Sequence, residues 1–364
     1  MDLRSNRYGA YSLNEEFPLS ATTTVAVVGL GYWGPNLVRV LFEHSDVQVR
    51  WLCDVDAGRL ALVARRYPAV QTTADLDAIL EDPEVDAVLL ATPVFTHHDL
   101  ASQCLEAGKH TFVEKPLAPT SELARDLTEL ATERSLVLMC GHTFLYSPPV
   151  QAVRRLIDEG RLGDLFFVSS SRVNLGLHQR DIGVIWDLGP HDFSILLYWL
   201  DELPRSIRAT GRDSIVPGIA DVAFVTMEFE SGLIANIELS WLAPSKLRRT
   251  VVVGSKQMVV YEDGTPEPVR IFDRGVVYKD PETFGEYHLS YRAGDILSPH
   301  LSNEEPLSLQ VGDFVRSVAL GEADGHGLEL AGDVVRLVEA ADASLHDGGA
   351  PVLLSCGSVA RSAG

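Results

Sequence analysis

Cysteine is scarce in this chain: Cys53, Cys104, Cys140 and Cys356 are the only four among 364 residues. They lie far apart, form no CxxC step and share no ligand spacing with histidine, which argues against a disulfide framework and a zinc site, so no metal is expected. Three of them sit in or beside apolar runs, where a free thiol behaves as a small buried hydrophobe in a reducing compartment. A cytoplasmic protein is expected. Basic residues are also in deficit, 30 against 51 acidic ones, for a net charge of −21. A field of that sign repels polyanions, so nucleic acid is not expected as a partner, and an anionic ligand would need a local basic pocket. No apolar run comes near the roughly 18 residues of a membrane span, so no membrane partner is expected. Internal repeats and low-complexity tracts are lacking too. Residues 1–22 are mixed and polar (Arg4, Asn6, Arg7, Asn14, Glu15, Glu16) without the apolar stretch of a signal peptide. They are expected to form a flexible or loosely docked N-terminal tail.

What is present suffices for two domains: 364 residues with 46% hydrophobic content can bury a large core. From Thr24 to Cys140, short β-branched runs alternate with helix-length amphipathic segments. This is the sequence form of an α/β, doubly wound parallel sheet covered by helices, a Rossmann domain over 23–146. Strands are predicted at Val25–Gly29, Val47–Asp54, Ala69–Thr72, Ala87–Ala91, His110–Val113 and Leu136–Cys140. Helices are predicted between them, capped by Asp56, Thr96 and Ser121. After Tyr146-Ser147-Pro148-Pro149 the texture changes to one helix, Val150–Glu159, and then strand-like runs. These are Leu165–Val173, Ser206–Gly211, Ala223–Phe229, Ile234–Trp241, Thr250–Gly254, Met258–Tyr261 and Val269–Phe272, with Ser231-Gly232 as a hairpin turn. An α+β domain with a large, mainly antiparallel sheet is expected over 147–350, ending in helices Leu309–Leu320 and Leu328–Leu345 and followed by a C-terminal segment, 351–364.

The first chemistry-bearing motif is Gly29-Leu30-Gly31-Tyr32-Trp33-Gly34, a GxGxxG that follows a predicted strand and opens a helix carrying Leu37, Val38, Val40 and Leu41. The first glycine permits the tight turn, the second lets the backbone approach a pyrophosphate, and the third allows close helix–strand packing, with the helix N-terminus holding the anion. Asp54 lies 20 positions past Gly34 at the end of the second strand, placed to accept from ribose hydroxyls, although it could instead begin a turn. It favours NAD over NADP. Arg59 keeps NADP open as the second choice, since an arginine there can face a 2′-phosphate. At the end of the fifth strand, Glu114-Lys115-Pro116 places a carboxylate and an ammonium at the edge where doubly wound sheets bind ligands.

Together with Ala91-Thr92-Pro93 and Asp187-Leu188-Gly189-Pro190-His191-Asp192, these motifs resemble the glucose–fructose oxidoreductase, inositol dehydrogenase and MocA family over about residues 23–350. The resemblance implies that Lys115 lies beside the nicotinamide and the substrate hydroxyl, often with a cis Lys–Pro bond, and that Thr92, Pro93 and His97 line the cofactor with Tyr32, Trp33 and Glu114. Asp187 and His191 are four residues apart, so on a helix they point one way. By spacing alone His191 reads as a satisfied helix-start histidine. The resemblance makes it, with Asp187, a sugar-hydroxyl ligand that shares proton transfer with Lys115.

Candidate substrate contacts in the second domain are Arg172, Asn174, His178, Gln179, Arg180, Lys246, Arg248 and Arg249, with Tyr146 preceding them. As a basic cluster in an acidic chain they suit an anionic substrate. The stretches Gly141–Tyr146 and Asn174-Leu175-Gly176 are most similar to the branch oxidising position three of UDP-linked acetamido sugars or uronates. The resemblance therefore implies a sugar-nucleotide substrate, with an inositol or free-sugar dehydrogenase as the alternative. An NAD-dependent glycosidase and a non-catalytic NAD(P) sensor are further alternatives, and a homo-oligomer, dimer or tetramer, is expected as in the family.

Overall fold

The computed structural model describes residues 7, 8, 22–176, 178, 182–279, 288–322 and 325–354. Its strands are β1 (Thr23–Val28), β2 (Val47–Cys53), β3 (Gln71–Thr73), β4 (Ala87–Leu90), β5 (His110–Val113), β6 (Leu138–Cys140), β7 (Leu165–Leu175), β8 (Ser206–Arg212), β9 (Val222–Glu228), β10 (Ile234–Ser240), β11 (Leu242–Gly254), β12 (Met258–Glu262), β13 (Val269–Lys279), β14 (His288–Leu297) and β15 (Val352–Leu353). Its helices are α1 (Gly34–Glu43), α2 (Ala57–Ala64), α3 (Asp77–Leu80), α4 (His97–Glu106), α5 (Ser121–Arg134), α6 (Pro148–Asp158), α7 (Val184–Leu200), α8 (Pro306–Leu320) and α9 (Gly325–His346).

The chain divides into two compact units, residues 1–147 with 303–336, and 148–302 with 337–364. In the first, β1 to β6 form one parallel sheet in the order β3-β2-β1-β4-β5-β6. The strands are short and apolar because both faces are covered. Along β1, Val25 and Val27 enter the core shared with Leu37, Val38 and Leu41 of α1, while Ala26 and Val28 enter the core shared with Ala101 of α4 and Leu127 of α5. The strand order reverses between β1 and β4, the switch point outside whose carboxyl ends such sheets bind ligands.

Helix α8 sends Leu307, Val311, Phe314 and Val315 into the α1 core, and Leu328, Ala331 and Val335 of α9 enter the opposite one. Residues 303–336 therefore belong to the first unit, whereas a continuous second domain over 147–350 was expected. A helix that is apolar on one face carries no signal of which sheet it covers. Of the flexible or loosely docked tail expected over residues 1–22, Arg7 and Tyr8 are described, and both are docked on α9. Tyr8 is buried and its hydroxyl donates to Asp333 at 2.9 Å, while Arg7 pairs with Glu329 at 2.8 Å and Asp333 at 3.0 Å.

The second unit contains one sheet ordered β14-β13-β12-β11-β7-β10-β9-β8-β15, antiparallel except for the β7–β10 pair. Helices α6 and α7 pack on it, and alternate residues Ala235, Ile237 and Leu239 of β10 are buried. The intervening face is open, with Phe167, Phe224 and Ile234 exposed. The β13–β14 hairpin extends well beyond the predicted Val269–Phe272, because its sequence is too rich in charge to show an apolar alternation. Asp56 caps α2 as expected, accepting from Gly58 N–H at 2.8 Å and Arg59 N–H at 3.1 Å. The other two caps differ: Thr120 rather than Ser121 caps α5, accepting from Leu123 N–H at 3.2 Å, and the Thr96 hydroxyl turns back to Pro93 O at 2.7 Å.

Candidate functional site

The glycine turn joins β1 to α1 at the switch point. Gly29 has φ +91°, a conformation costly for any side chain, and a β-carbon there would fall 2.6 Å from the Ala91 carbonyl oxygen. A β-carbon on Gly34 would collide with the Gly29 carbonyl, so helix and strand can approach this closely only with glycine. Gly31 faces open space, its nearest neighbour on that side being an Arg59 guanidinium nitrogen at 3.8 Å. Backbone here can therefore approach a pyrophosphate at the N-terminus of α1, with Arg59 alongside and Tyr32 exposed as a flank. Asp54 is buried and holds the turn's shape: Oδ2 accepts from Leu30 N–H at 2.6 Å and Oδ1 from Asp56 N–H at 2.8 Å. Each carboxylate oxygen keeps a second lone pair for a ribose hydroxyl. These features fit a dinucleotide, with Gly29, Gly31, Gly34, Asp54 and Arg59 as the residues to hold it.

Glu114, Lys115 and Pro116 follow β5, and the Lys115–Pro116 bond is cis. Glu114 is enclosed, and burial pushes its carboxyl up to about 7 although Lys115 pulls the other way. The indole N–H of Trp33 and Oε1 of Glu114 are both buried, and the Trp33 side chain acts on the Glu114 carboxyl, pulling its pKa down against the effect of burial. Past β6, burial and the nearby Lys115 charge push His142 down to about 3, so it stays neutral. It lines a cavity of about 10 Å³ with Cys140, Tyr146 and Gln310.

Two expected ligand contacts take structural roles in this unit. His97 is buried, with Nδ1 2.8 Å from the Pro116 carbonyl oxygen and Nε2 2.8 Å from that of Thr92. The ring thus lies wedged between the Thr92-Pro93 loop and the Lys115-Pro116 loop; burial holds it neutral, so its single N–H donates to one of the two carbonyls, a structural contact where a cofactor-lining side chain was expected. Tyr146 is likewise buried, its hydroxyl donating to Asp313 at 2.7 Å, so it anchors α8 where a substrate contact was expected.

In the second unit, Asp187 and His191 lie one turn apart near the start of α7, which tolerates Pro190 close to its N-terminus. Asp187 Oδ2 accepts from the indole N–H of Trp241 at 3.0 Å. The His178 ring lies 5.3 Å from the Trp241 ring, and its Nε2 is 3.9 Å from Asp221 Oδ2. Sequence reasoning missed Trp241 and Asp221, which carry no motif and are brought in by the sheet. Arg172 is reassigned as well: buried on β7, it is ion-paired with Asp192, which also accepts from Ser170 at 2.7 Å. Alternation along the central strand turns its side chain inward. Arg248 pairs with Asp263 at 2.9 Å, Lys246 and Arg249 are exposed, and Gln179 and Arg180 lie outside the described residues. Among the described residues no three His, Cys, Asp or Glu side chains gather as a metal site.

Residues 23–142 match the GFO/IDH/MocA oxidoreductase family, NAD-binding Rossmann fold, and residues 150–260 match that family's C-terminal domain. The chain belongs to the GFO/IDH/MocA family. Its first unit is the family's NAD-binding domain, and its fold is the family's pairing of a six-strand parallel sheet with a larger, mostly antiparallel one. Among family members, inositol 2-dehydrogenase 2 of Saccharopolyspora erythraea is 31% identical over 226 residues, 60% of this chain and 66% of that one. The inositol 2-dehydrogenase of Rhizobium meliloti is 29% identical over 69% of this chain and 78% of its own length. Of solved structures, GenD2 from gentamicin A biosynthesis in complex with NAD superposes with a TM-score of 0.79 and 27% identity, covering 94% of this chain and 99% of that one. UDP-N-acetylglucosamine 3-dehydrogenase GnnA from Acidithiobacillus ferrooxidans gives 0.73 and 25%, covering 90% and 98%.

Proposed function

We propose that this chain is an NAD-dependent dehydrogenase oxidising a secondary hydroxyl of a neutral sugar or cyclitol ring to the ketone. Bound NAD supplies the hydride acceptor. Lys115 and His191 share the proton that the hydroxyl loses as its carbon becomes a carbonyl, and Asp187 accepts hydrogen bonds from ring hydroxyls. The neutral ring is carried by one observation: Arg172, one of the basic residues expected to grip an anionic substrate, is buried and ion-paired with Asp192. Arg248 is paired as well. Inositol dehydrogenases among the relatives support this reading. The second reading, a nucleotide-linked sugar, draws on the likeness to GnnA and on the exposed Lys246 and Arg249.

The deciding experiment follows NADH at 340 nm with myo-inositol, scyllo-inositol, D-glucose and UDP-N-acetylglucosamine. Turnover of a free ring, unaffected by added UDP, is the expected result. Turnover confined to the UDP sugar and inhibited by UDP would transfer the assignment to the second reading. Release of free sugar from a glycoside with no NADH would indicate a glycosidase, and no turnover would leave a sensor. In the active reaction, Lys115→Met and His191→Asn should each lower kcat by about two orders of magnitude while NAD binding is spared. Unchanged turnover in both removes these residues from the mechanism.

The exposed Phe167, Phe224 and Ile234 on the open sheet face support self-association of this unit, which light scattering of the purified chain tests. The buried, unpaired Cys53, Cys104 and Cys140 support a cytoplasmic location. Among the described residues no helix is long and apolar enough to cross a membrane.

A further inference from the structure

Trp241 stands between β10 and β11 with 1% of its surface exposed. Its main chain is tied on both sides, the N–H donating to the Asp221 carbonyl at 2.9 Å and the C=O accepting from Gly176 N–H at 3.0 Å. The ring is fixed as tightly as the backbone. A β-carbon on Gly176 would fall 2.7 Å from indole Cδ1, so a glycine is what lets the end of β7 pass over the ring edge. From this seat the indole N–H donates to Asp187 Oδ2 at 3.0 Å.

A buried indole needs an acceptor for its N–H, and a main-chain carbonyl would satisfy it equally well. Here the acceptor is a carboxylate on the first turn of α7, one helical turn before His191. The same helix offers a contrast five residues on, where Asp192 is bound by the Arg172 guanidinium and its charge is cancelled. An indole does something different. It is a neutral donor in a rigid frame, so it fixes the position of Asp187 Oδ2 without itself bringing a positive charge to the carboxylate.

We propose that Trp241 is a positioning residue that orients Asp187 toward a hydroxyl of the substrate ring and so contributes to selectivity among ring isomers. This rests on the role given to Asp187 above. Gly176 acts with it by leaving room for the indole.

The test compares three variants of the full-length chain, with myo-inositol as probe, or the most active compound of the panel if myo-inositol is not turned over. Trp241→Phe keeps an aromatic ring and deletes the donor, Gly176→Ala pushes the ring off its seat, and Asp187→Asn removes the charge while its amide oxygen can still accept from the indole. Loss of one hydrogen bond to a charged group predicts a fall of about 10- to 100-fold in kcat/KM for the ring in Trp241→Phe. NAD affinity, read by fluorescence titration, should stay within about twofold, and discrimination between myo- and scyllo-inositol should narrow. Gly176→Ala should move the same quantities in the same direction. If Asp187→Asn is impaired while folded Trp241→Phe keeps its kcat/KM and isomer preference, the proposal is overturned. If Asp187→Asn itself turns over normally, the role given to Asp187 fails first. Should Trp241→Phe not fold, Gly176→Ala decides, and a failure of both to fold assigns Trp241 a purely structural role.

Discussion

Glu114 shows how a single side chain couples the site to stability. Burial raises its folded-state pKa from 4.5 to about 7. Between those values the folded chain holds a proton that the unfolded chain has released, so stability falls as pH rises from about 4.5 to about 7. Below that window both states are protonated and the penalty vanishes. At 1.36 kcal/mol per unit the full effect above pH 7 is about 3 kcal/mol. Glu114→Gln, which cannot ionise, should therefore gain on the wild type by about that amount between pH 4.5 and pH 8 in urea unfolding of the NAD-free protein. An equal difference at both pH values would show that Glu114 is hydrated in solution. His142 slopes the other way: its pKa is held down at about 3 from 6.5, so its contribution is full above pH 6.5 and is lost as pH falls below that. Neither residue could have been singled out from the sequence by this property, because the shift comes from enclosure. The motif Glu114-Lys115-Pro116 was legible; the state of its carboxyl was not.

At the scale of elements, the strand–turn–helix from β1 to α1 was fully legible, because each glycine answers a local demand. Gly34→Ala tests that directly. Its β-carbon would strike the Gly29 carbonyl, so α1 has to move off β1 and the turn opens. NAD affinity should fall by at least about tenfold by fluorescence titration, with a far larger loss than from alanine at exposed Tyr32. Equal effects would mean that the turn is not the cofactor's seat. Other elements were legible in kind but not in partner. His97 was recognisable as the start of α4, yet only the loops after β4 and β5 decide that its ring lies between the Thr92 and Pro116 carbonyls. Arg172 was read as a ligand because basic residues are outnumbered by acidic ones here, and the pleat of β7 turned it inward to Asp192.

For the whole molecule, the return of the chain to its first unit is the feature with mechanical consequences. Tyr8 and Arg7 reach Asp333 on α9, some 325 positions away in sequence. A buried phenol whose hydroxyl bonds a carboxylate should cost about 1–3 kcal/mol to replace, so Tyr8→Phe should lower the unfolding free energy by that amount in urea titration. An unchanged midpoint would show that the N-terminal contact is not held in solution. The net charge of −21 acts at this scale too. It raises the cost of bringing in an anionic substrate, which agrees with a neutral ring and predicts that UDP sugars, if bound at all, bind more tightly as salt rises.

By itself the sequence determined the doubly wound first domain, its glycine turn, the acidic residue after β2 and the Lys115 step, because these depend on short-range demands: positive φ, close packing, a fixed spacing from strand end to helix start. It also determined that Asp187 and His191 share a helix face. The tertiary structure alone decided which polar side chains remain for ligands and which are consumed by the fold. Tyr146, His97 and Arg172 were consumed, and Trp241 was brought to Asp187, because hydrogen-bonding capacity is allotted by contacts between residues far apart in the chain.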